Sequence, residues 1–236
     1  MSEPKTFLLS VDCALRMTNA ALLGAARNGE CEVLSSLRLD VGRKQAEELP
    51  LAAERVLRTE GLTFEDVSVM AVTNGPGYFT GVRIGAAYAA GLAYALGIPI
   101  IPVSTLEMIA CPYMKDILRP SVLSLAYAGR GRVYAASFGM GDNLPPGDYG
   151  RESLELWLDG VSQALTIVSD DPQKVTDTLE NPKFSSAIRL SPPDAAAAGI
   201  IAWRKRTEAI SPMAMRVSYL REPTLREPTL KEPRTL

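Results

Sequence analysis

Between Val67 and Leu96 the hydrophobic period of the sequence changes abruptly. Val67 to Thr73 is an apolar run of strand length, Asn74-Gly-Pro-Gly77 breaks it, and Gly81 to Leu96 continues at helical spacing with Arg83 as its one charge. Gly81, Gly85, Ala89 and Ala93 recur every four residues and form a smooth ridge, which admits close approach of another element. The opposite positions, among them Ala86, Ala90, Leu92 and Leu96, are also apolar or small. A helix apolar on nearly every side has to be covered twice. One cover is the sheet it leaves; the other is either the chain's own first helix or a partner subunit. The chain is thereby restricted to a layered α/β body.

The flanking segments supply the layers. Phe7 to Val11 is a buried-strand run ending in Asp12, and Asn19 to Ala26 and Glu32 to Leu39 follow as apolar or alternating stretches around the turn residues Asn28 and Gly29. They predict a three-stranded antiparallel meander. From Arg43 to Thr59 the period is helical, with Ala46, Leu49, Ala53, Val56 and Leu57 on one face, and Pro50 is expected to bend this helix or mark a tighter start within it. Ile98 to Val103 is a further strand, and Ser104-Thr-Leu-Glu107 resembles a helix start with a capping acid. The resulting order, β-β-β-α-β-α-β-α, is the half-unit of actin-like, ribonuclease-H-like folds.

The second half predicts a hairpin from Val122 to Ala126 and Arg132 to Phe138, then a Gly/Pro/Asp-rich surface loop from Gly139 to Gly150. A helix around Glu152 to Leu158, a strand around Leu165 to Val168 and a helix from about Asp194 to Arg206 complete a shortened, less regular second lobe. The expected division is an N-terminal lobe over 1–104, a smaller lobe over 105–220 and a low-complexity tail over 221–236. In that tail Arg221-Glu-Pro-Thr-Leu225 and Arg226-Glu-Pro-Thr-Leu230 are near-copies followed by Lys231-Glu-Pro-Arg-Thr-Leu236. A proline every five residues and one leucine per unit predict an extended or disordered segment.

Composition removes whole classes of chemistry. The chain has no histidine, which excludes Ser-His-Asp and Cys-His catalysis and His-ligated metals from the chain alone. A peptidase would lack the base that activates its nucleophile. Cys13, Cys31 and Cys111 contain no CxxC pair, so neither a disulfide framework nor a thiolate metal site is expected. With 25 Lys and Arg against 27 Asp and Glu and no concentrated basic stretch, no large electrostatic footprint for nucleic acid is visible. No apolar run reaches membrane-spanning length and the first residues lack the order of a secretory signal, so a cytoplasmic protein without membrane contact is expected.

One segment carries a candidate site. The turn from Asn74 to Gly81 lies between strand and helix, where Gly75, Gly77 and Gly81 let backbone amides approach an anion, with Thr80 beside them. It has neither a Gly-Lys-Ser/Thr run nor a dinucleotide spacing. The alternative is a tight turn that packs the helix against the sheet. Asp12 stands where actin-like ATPases place the acid that orients metal-bound water, but the small and hydroxyl residues that normally follow are replaced by Cys13-Ala14. An independent actin-like nucleotide phosphohydrolase or kinase would use Asp12, Gly75, Gly77, Thr80 and Gly81. An acid that caps local backbone is the competing reading of Asp12.

Gly75-Pro-Gly-Tyr-Phe-Thr-Gly-Val-Arg-Ile-Gly85 followed by Gly97-Ile-Pro-Ile-Ile-Pro-Val-Ser-Thr-Leu-Glu107 resembles the TsaB family, also called YeaZ, with Tyr78 where that family usually has serine. The opening strand ending in Asp12, Gly131-Arg-Val-Tyr134 and Tyr219-Leu-Arg221 extend the resemblance over roughly residues 6 to 221. Gln45-Ala-Glu47 and Tyr127-Ala-Gly-Arg130 depart from the family's usual runs. The resemblance implies a two-lobed actin-like fold with a reduced second lobe and a role in threonylcarbamoylation of adenosine 37 in tRNA, without a catalytic centre or cofactor of its own. It implies pairing with a TsaD-like catalytic subunit or with itself as a dimer, a TsaE-like ATPase joining them, and contact with tRNA only through the complex. Pairing would run through the two first-lobe helices, for which Leu49, Ala53, Val56, Gly81, Gly85, Ala89 and Ala93 are the candidate interface residues.

Overall fold

A computed structural model describes residues 6–25, 30–114, 121–139, 143–161, 165–179 and 187–221. The turn at Asn28 and Gly29 and the repeats after Arg221 lie outside the described residues. Ten strands form two five-stranded mixed sheets among the described residues. The first contains β1 (Thr6–Asp12), β2 (Thr18–Ala25), β3 (Cys31–Leu39), β4 (Val67–Thr73) and β5 (Ile100–Val103), in the order β3-β2-β1-β4-β5. β1 to β3 are the predicted antiparallel meander, and β4 and β5 add in parallel. The second contains β6 (Ser121–Gly129), β7 (Arg132–Gly139), β8 (Gly147–Gly150), β9 (Leu165–Ser169) and β10 (Ile188–Leu190), in the order β10-β9-β6-β7-β8. It repeats the plan of the first, a meander with two parallel strands added beside its first strand. The reduction of this lobe lies in its edges: β8 has four residues and β10 three.

Strand alternation divides the core into layers. Along β1, Leu9 and Val11 join Leu49, Val56, Ala89 and Ala93 beneath the helices α1 (Gln45–Thr59) and α2 (Phe79–Leu96). Leu8, of opposite parity, faces the other way, into a cluster shared with Val122, Ala126 and Val168 of the second sheet. That is the period of two expected of a strand covered on both faces. Two helices fill the shared layer, α3 (Thr105–Ala110) and α6 (Ala195–Arg204). On the far side of the second sheet, α4 (Arg151–Asp159) and α5 (Pro172–Leu179) bury Leu154, Val175 and Leu179. α6 runs Ala195 to Ala198 and Gly199 along the interior and packs against β1, β2 and β4. The chain thus returns from its second half to the first sheet.

Three local expectations are corrected. The segment expected as a loop ends in β8, because Arg132 on β7 donates to Asp148 Oδ1 at 2.9 Å and to its carbonyl at 2.6 Å, which fixes a short edge strand in a Gly/Pro-rich stretch. Ser104 is the N-cap residue of α3 without a side-chain cap bond, and Glu107 instead accepts from Lys205 Nζ at 2.6 Å, tying α3 to the end of α6. The tight start of the first helix is a 3-10 turn at Gly42–Lys44, and α1 continues through Pro50.

Candidate functional site

The turn after β4 meets the hairpin after β1, and the two loops touch. Tyr78 N–H donates to the Ala14 carbonyl at 2.7 Å. A Cβ at Gly77 would collide with that carbonyl oxygen, and one at Gly81 with the carbonyl oxygen of Cys13. Glycine is needed here so that chain can lie on chain. Gln45, one of the departures from the family run, donates from Nε2 to the carbonyls of Leu15 at 3.2 Å and Met17 at 3.5 Å, which fastens the hairpin to the start of α1. Gly75 has φ +111°, and a Cβ there would lie 2.5 Å from Ser218 O, while Ser218 N–H donates to Asn74 O at 2.7 Å. The structure therefore brings Gly75, Gly77 and Gly81 against the chain around Asp12, with Thr80 apart from them. It fills the space between them with backbone of residues 13, 14 and 218, and Thr80 is exposed on the first turn of α2.

Asp12 is fully buried and its carboxylate is occupied. Oδ1 accepts from Ala14 N–H at 3.0 Å and from the Thr73 hydroxyl, and Oδ2 from Asn19 Nδ2 at 2.7 Å. Burial raises the Asp12 carboxyl above its ordinary value against these hydrogen bonds. Its observed role is to hold the β1 end, the β2 start and β4 together. Of the two readings of each feature, the structure shows the packing turn and the backbone-holding acid rather than an open phosphate cradle. Cys13 beside it is buried, and burial pushes its thiol up to about 12, so it stays a thiol at neutral pH.

A second acid, missed in the sequence, lies in the second lobe near enough to Asp12 to feel its charge. Asp170 follows β9, and burial, then the adjacent Asp171, pushes its carboxyl up to about 6, with Asp12 a smaller contributor. Oδ1 of Asp170 is buried without a protein partner. Lys174 of α5 donates to the Tyr78 hydroxyl at 3.2 Å, and its ammonium lies 4.3 Å from the centroid of the Tyr127 ring. Tyr78 and Tyr127, both at positions that depart from the family pattern, thus clasp one lysine between the lobes.

The seven residues expected at a partner interface lie inside the chain. Leu49, Ala53, Ala89 and Ala93 have no exposed surface, Val56 is 2% exposed, and Gly81 and Gly85 are buried against β1 and β4. The small-residue ridge faces the chain's own sheet, where Gly81 and Gly85 bring the helix down onto Cys13 and Val72. The interface assignment of those seven is corrected. The faces these helices turn outward are made of other residues: Leu51, Glu54, Arg55 and Arg58 on α1, and Arg83, Ala87, Gly91 and Tyr94 on α2. Leu51 is 58% and Tyr94 69% exposed, and a Cβ at Gly91 would meet nothing within 4 Å.

The chain's end ties these parts together. Ile210 exchanges both backbone hydrogen bonds with Ile100 of β5 at 2.9 and 3.0 Å, so the segment starts at the edge of the first sheet. Arg83 Nε then donates to the Tyr219 hydroxyl at 2.6 Å. Arg221 donates to Ala128 O at 3.3 Å and lies 3.7 Å from Asp148, which Arg132 also holds. Three motifs far apart in sequence, around Arg83, Arg132 and Tyr219-Leu-Arg221, meet through this strap.

Known proteins share both sequence and fold. A family model, TsaD: tRNA N6-adenosine threonylcarbamoyltransferase, matches residues 40–144. A tRNA threonylcarbamoyladenosine biosynthesis protein TsaB of Haemophilus influenzae is 37% identical over 103 residues, 44% of this chain and 41% of that protein. A tRNA N6-adenosine threonylcarbamoyltransferase of Clostridium perfringens is 31% identical over 115 residues, 44% of this chain and 34% of that protein. The chain spans well under half the length of these curated relatives. A crystal structure of a Pseudomonas aeruginosa protein described as similar to peptidase YEAZ superposes with a TM-score of 0.75 at 23% identity, covering 92% of this chain and all of that one. The match to the TsaD model takes in α1 through β7, the sequence is similar to TsaB proteins over part of its length, and the fold it shares over nearly the whole chain is that of YeaZ.

Proposed function

We propose that this chain is a non-catalytic subunit of the machinery that places threonylcarbamoyl on adenosine 37 of tRNA, pairing with a TsaD-like transferase. The observation that carries the reading is the closed cradle. Phosphoryl or acyl transfer needs free space for the reacting group and a carboxylate or amide free to meet it. Here the glycine turn is seated on the Cys13 and Ala14 carbonyls and Asp12 is occupied on both oxygens. The names of the relatives support the pathway. The pairing face is the outward side of α1 and α2, with Leu51, Ala87, Gly91 and Tyr94 as its apolar part. An exposed glycine and alanine on one helix face let a second helix approach closely. A TsaE-like ATPase joining this pair, and tRNA reached through the complex, complete the proposal.

The test is light scattering of the purified chain mixed with the TsaD-like subunit of the same organism. Wild type forms the mixed complex; Gly91→Arg folds, since nothing lies within 4 Å of the added Cβ, and does not. Equal binding by both would move the interface off this face, and no complex with wild type would overturn the pairing.

A further inference from the structure

Resting on the pairing face proposed above, the geometry points to Arg83 as a preorganised anchor for a carboxylate side chain of the partner subunit. Arg83, Ala87 and Gly91 follow one another at four-residue spacing along the exposed side of α2, so Arg83 is the charged end of the same stripe. Its guanidinium carbon lies 3.6 Å from the centroid of the Phe79 ring and 5.6 Å from that of Tyr219, and those rings lie 5.5 Å apart at 29°. Nε is spent on the Tyr219 hydroxyl at 2.6 Å. The terminal nitrogens keep their four N–H groups, the fork that takes a carboxylate in two parallel bonds. Among the described residues no carboxylate forms an ion pair with Arg83.

Such an arrangement is efficient when used. Two rings, each 44% exposed, and one arginine are the residue types that dominate protein interfaces. An arginine already fixed by ring and phenol loses little side-chain freedom on binding. A protein carboxylate is favoured over a nucleic-acid backbone because the stripe continues from Arg83 into apolar Ala87, Gly91 and Tyr94, which suit a packed helix, while the other cations of the face, Arg55 and Arg58, lie on α1 beside Glu54. Tyr219 belongs to the strap that reaches the second lobe through Arg221, so the anchor is set by the whole fold.

Titration calorimetry of the full chain with the TsaD-like subunit, at low and high salt, tests this with four variants. Arg83→Gln is expected to bind about tenfold or more weakly, with a flatter salt dependence. Arg83→Lys, which keeps charge but loses the fork, is expected to recover little, and Tyr219→Phe to weaken binding a few-fold. Gly91→Arg reports on the face itself. If Gly91→Arg abolishes binding while Arg83→Gln binds as wild type, the anchor is overturned and the face stands. If neither changes binding, the pairing face fails. If Arg83→Gln leaves subunit binding intact but weakens tRNA retention by the assembled complex, the anchor reads phosphate and the carboxylate assignment is overturned.

Discussion

At the scale of single residues, the chain's chemistry is decided by atoms that are already engaged. Gly77 and Gly81 carry the carbonyls of Ala14 and Cys13 where side chains would sit. Gly77→Ala and Gly81→Ala are each expected to destabilise by about 3 kcal/mol, since the obstructing atoms are backbone and cannot swing aside. Chemical denaturation of the two variants checks this, and a loss no larger than that of an exposed glycine would contradict it. Asp170 behaves oppositely. Its carboxyl is raised from 3.8 to about 6 by burial, then Asp171, with Asp12 adding and Lys174 opposing. Between those values the unfolded chain releases the proton while the folded chain keeps it, so stability falls as pH rises through that window and stays lower above it. Asp170→Asn removes the penalty and is expected to raise stability at pH 7 on the order of 2 kcal/mol, the gain vanishing toward pH 4 in a thermal-unfolding series. Asp12 was legible as the acid ending the first strand; its occupation was not, because Thr73, one of its partners, is 61 residues away. Asp170 gave no signal in sequence, where it is one acid of an Asp-Asp pair after a weak strand.

At the scale of elements, α2 shows what periodicity can and cannot decide. Its ends and its small-residue ridge were readable from spacing. Which face turns inward was not, since both faces are apolar or small and the choice rests on contacts with β1 and β4. The structure turns Gly81, Gly85, Ala89 and Ala93 inward and Arg83, Ala87 and Gly91 outward. Ala89→Arg is therefore expected to lose about 4 kcal/mol or more by burying a charge against β1 and β4. Gly91→Arg, two residues on, is expected to match or exceed wild-type stability, since arginine favours helix over glycine. Thermal melts of the pair separate the two faces, and equal melts would contradict the assignment. The edge strand β8 was illegible for a different reason: its four residues, Gly147 to Gly150, carry turn composition, and they are held by pairing with β7 and by Arg132 and Arg221 reaching Asp148 from elsewhere in the chain. Between elements, the Tyr78, Lys174 and Tyr127 clasp joins α2 to α5 and β6. Lys174→Ala is expected to speed amide exchange around residues 168–171 while leaving β1 protected.

At the scale of the whole molecule, one plan is used twice and then tied. The first-lobe topology was legible because three strand runs, two helices and a glycine turn follow one another with clear changes of period. The repeat in the second sheet was faint, since β8 and β10 are short and α5 carries little apolar signal. The return of α6 to the first sheet rests on its packing against β1, β2 and β4, and that of residues 209–221 on Ile210 pairing with Ile100 and Arg83 meeting Tyr219, contacts that no local pattern encodes. Both lobes share one interior through α3 and α6, and the turn that an actin-like ATPase would leave open for phosphate is sealed by this chain's own backbone. The proposed function therefore lies on an outer helix face. Threonylcarbamoyl transfer to tRNA, measured with the chain alone, the TsaD-like subunit alone with its other components, and the complete mixture, tests this most directly. The account predicts transfer only when the TsaD-like subunit is present and a marked rise when this chain is added; transfer by the chain without that subunit, or no change on adding it, would contradict it.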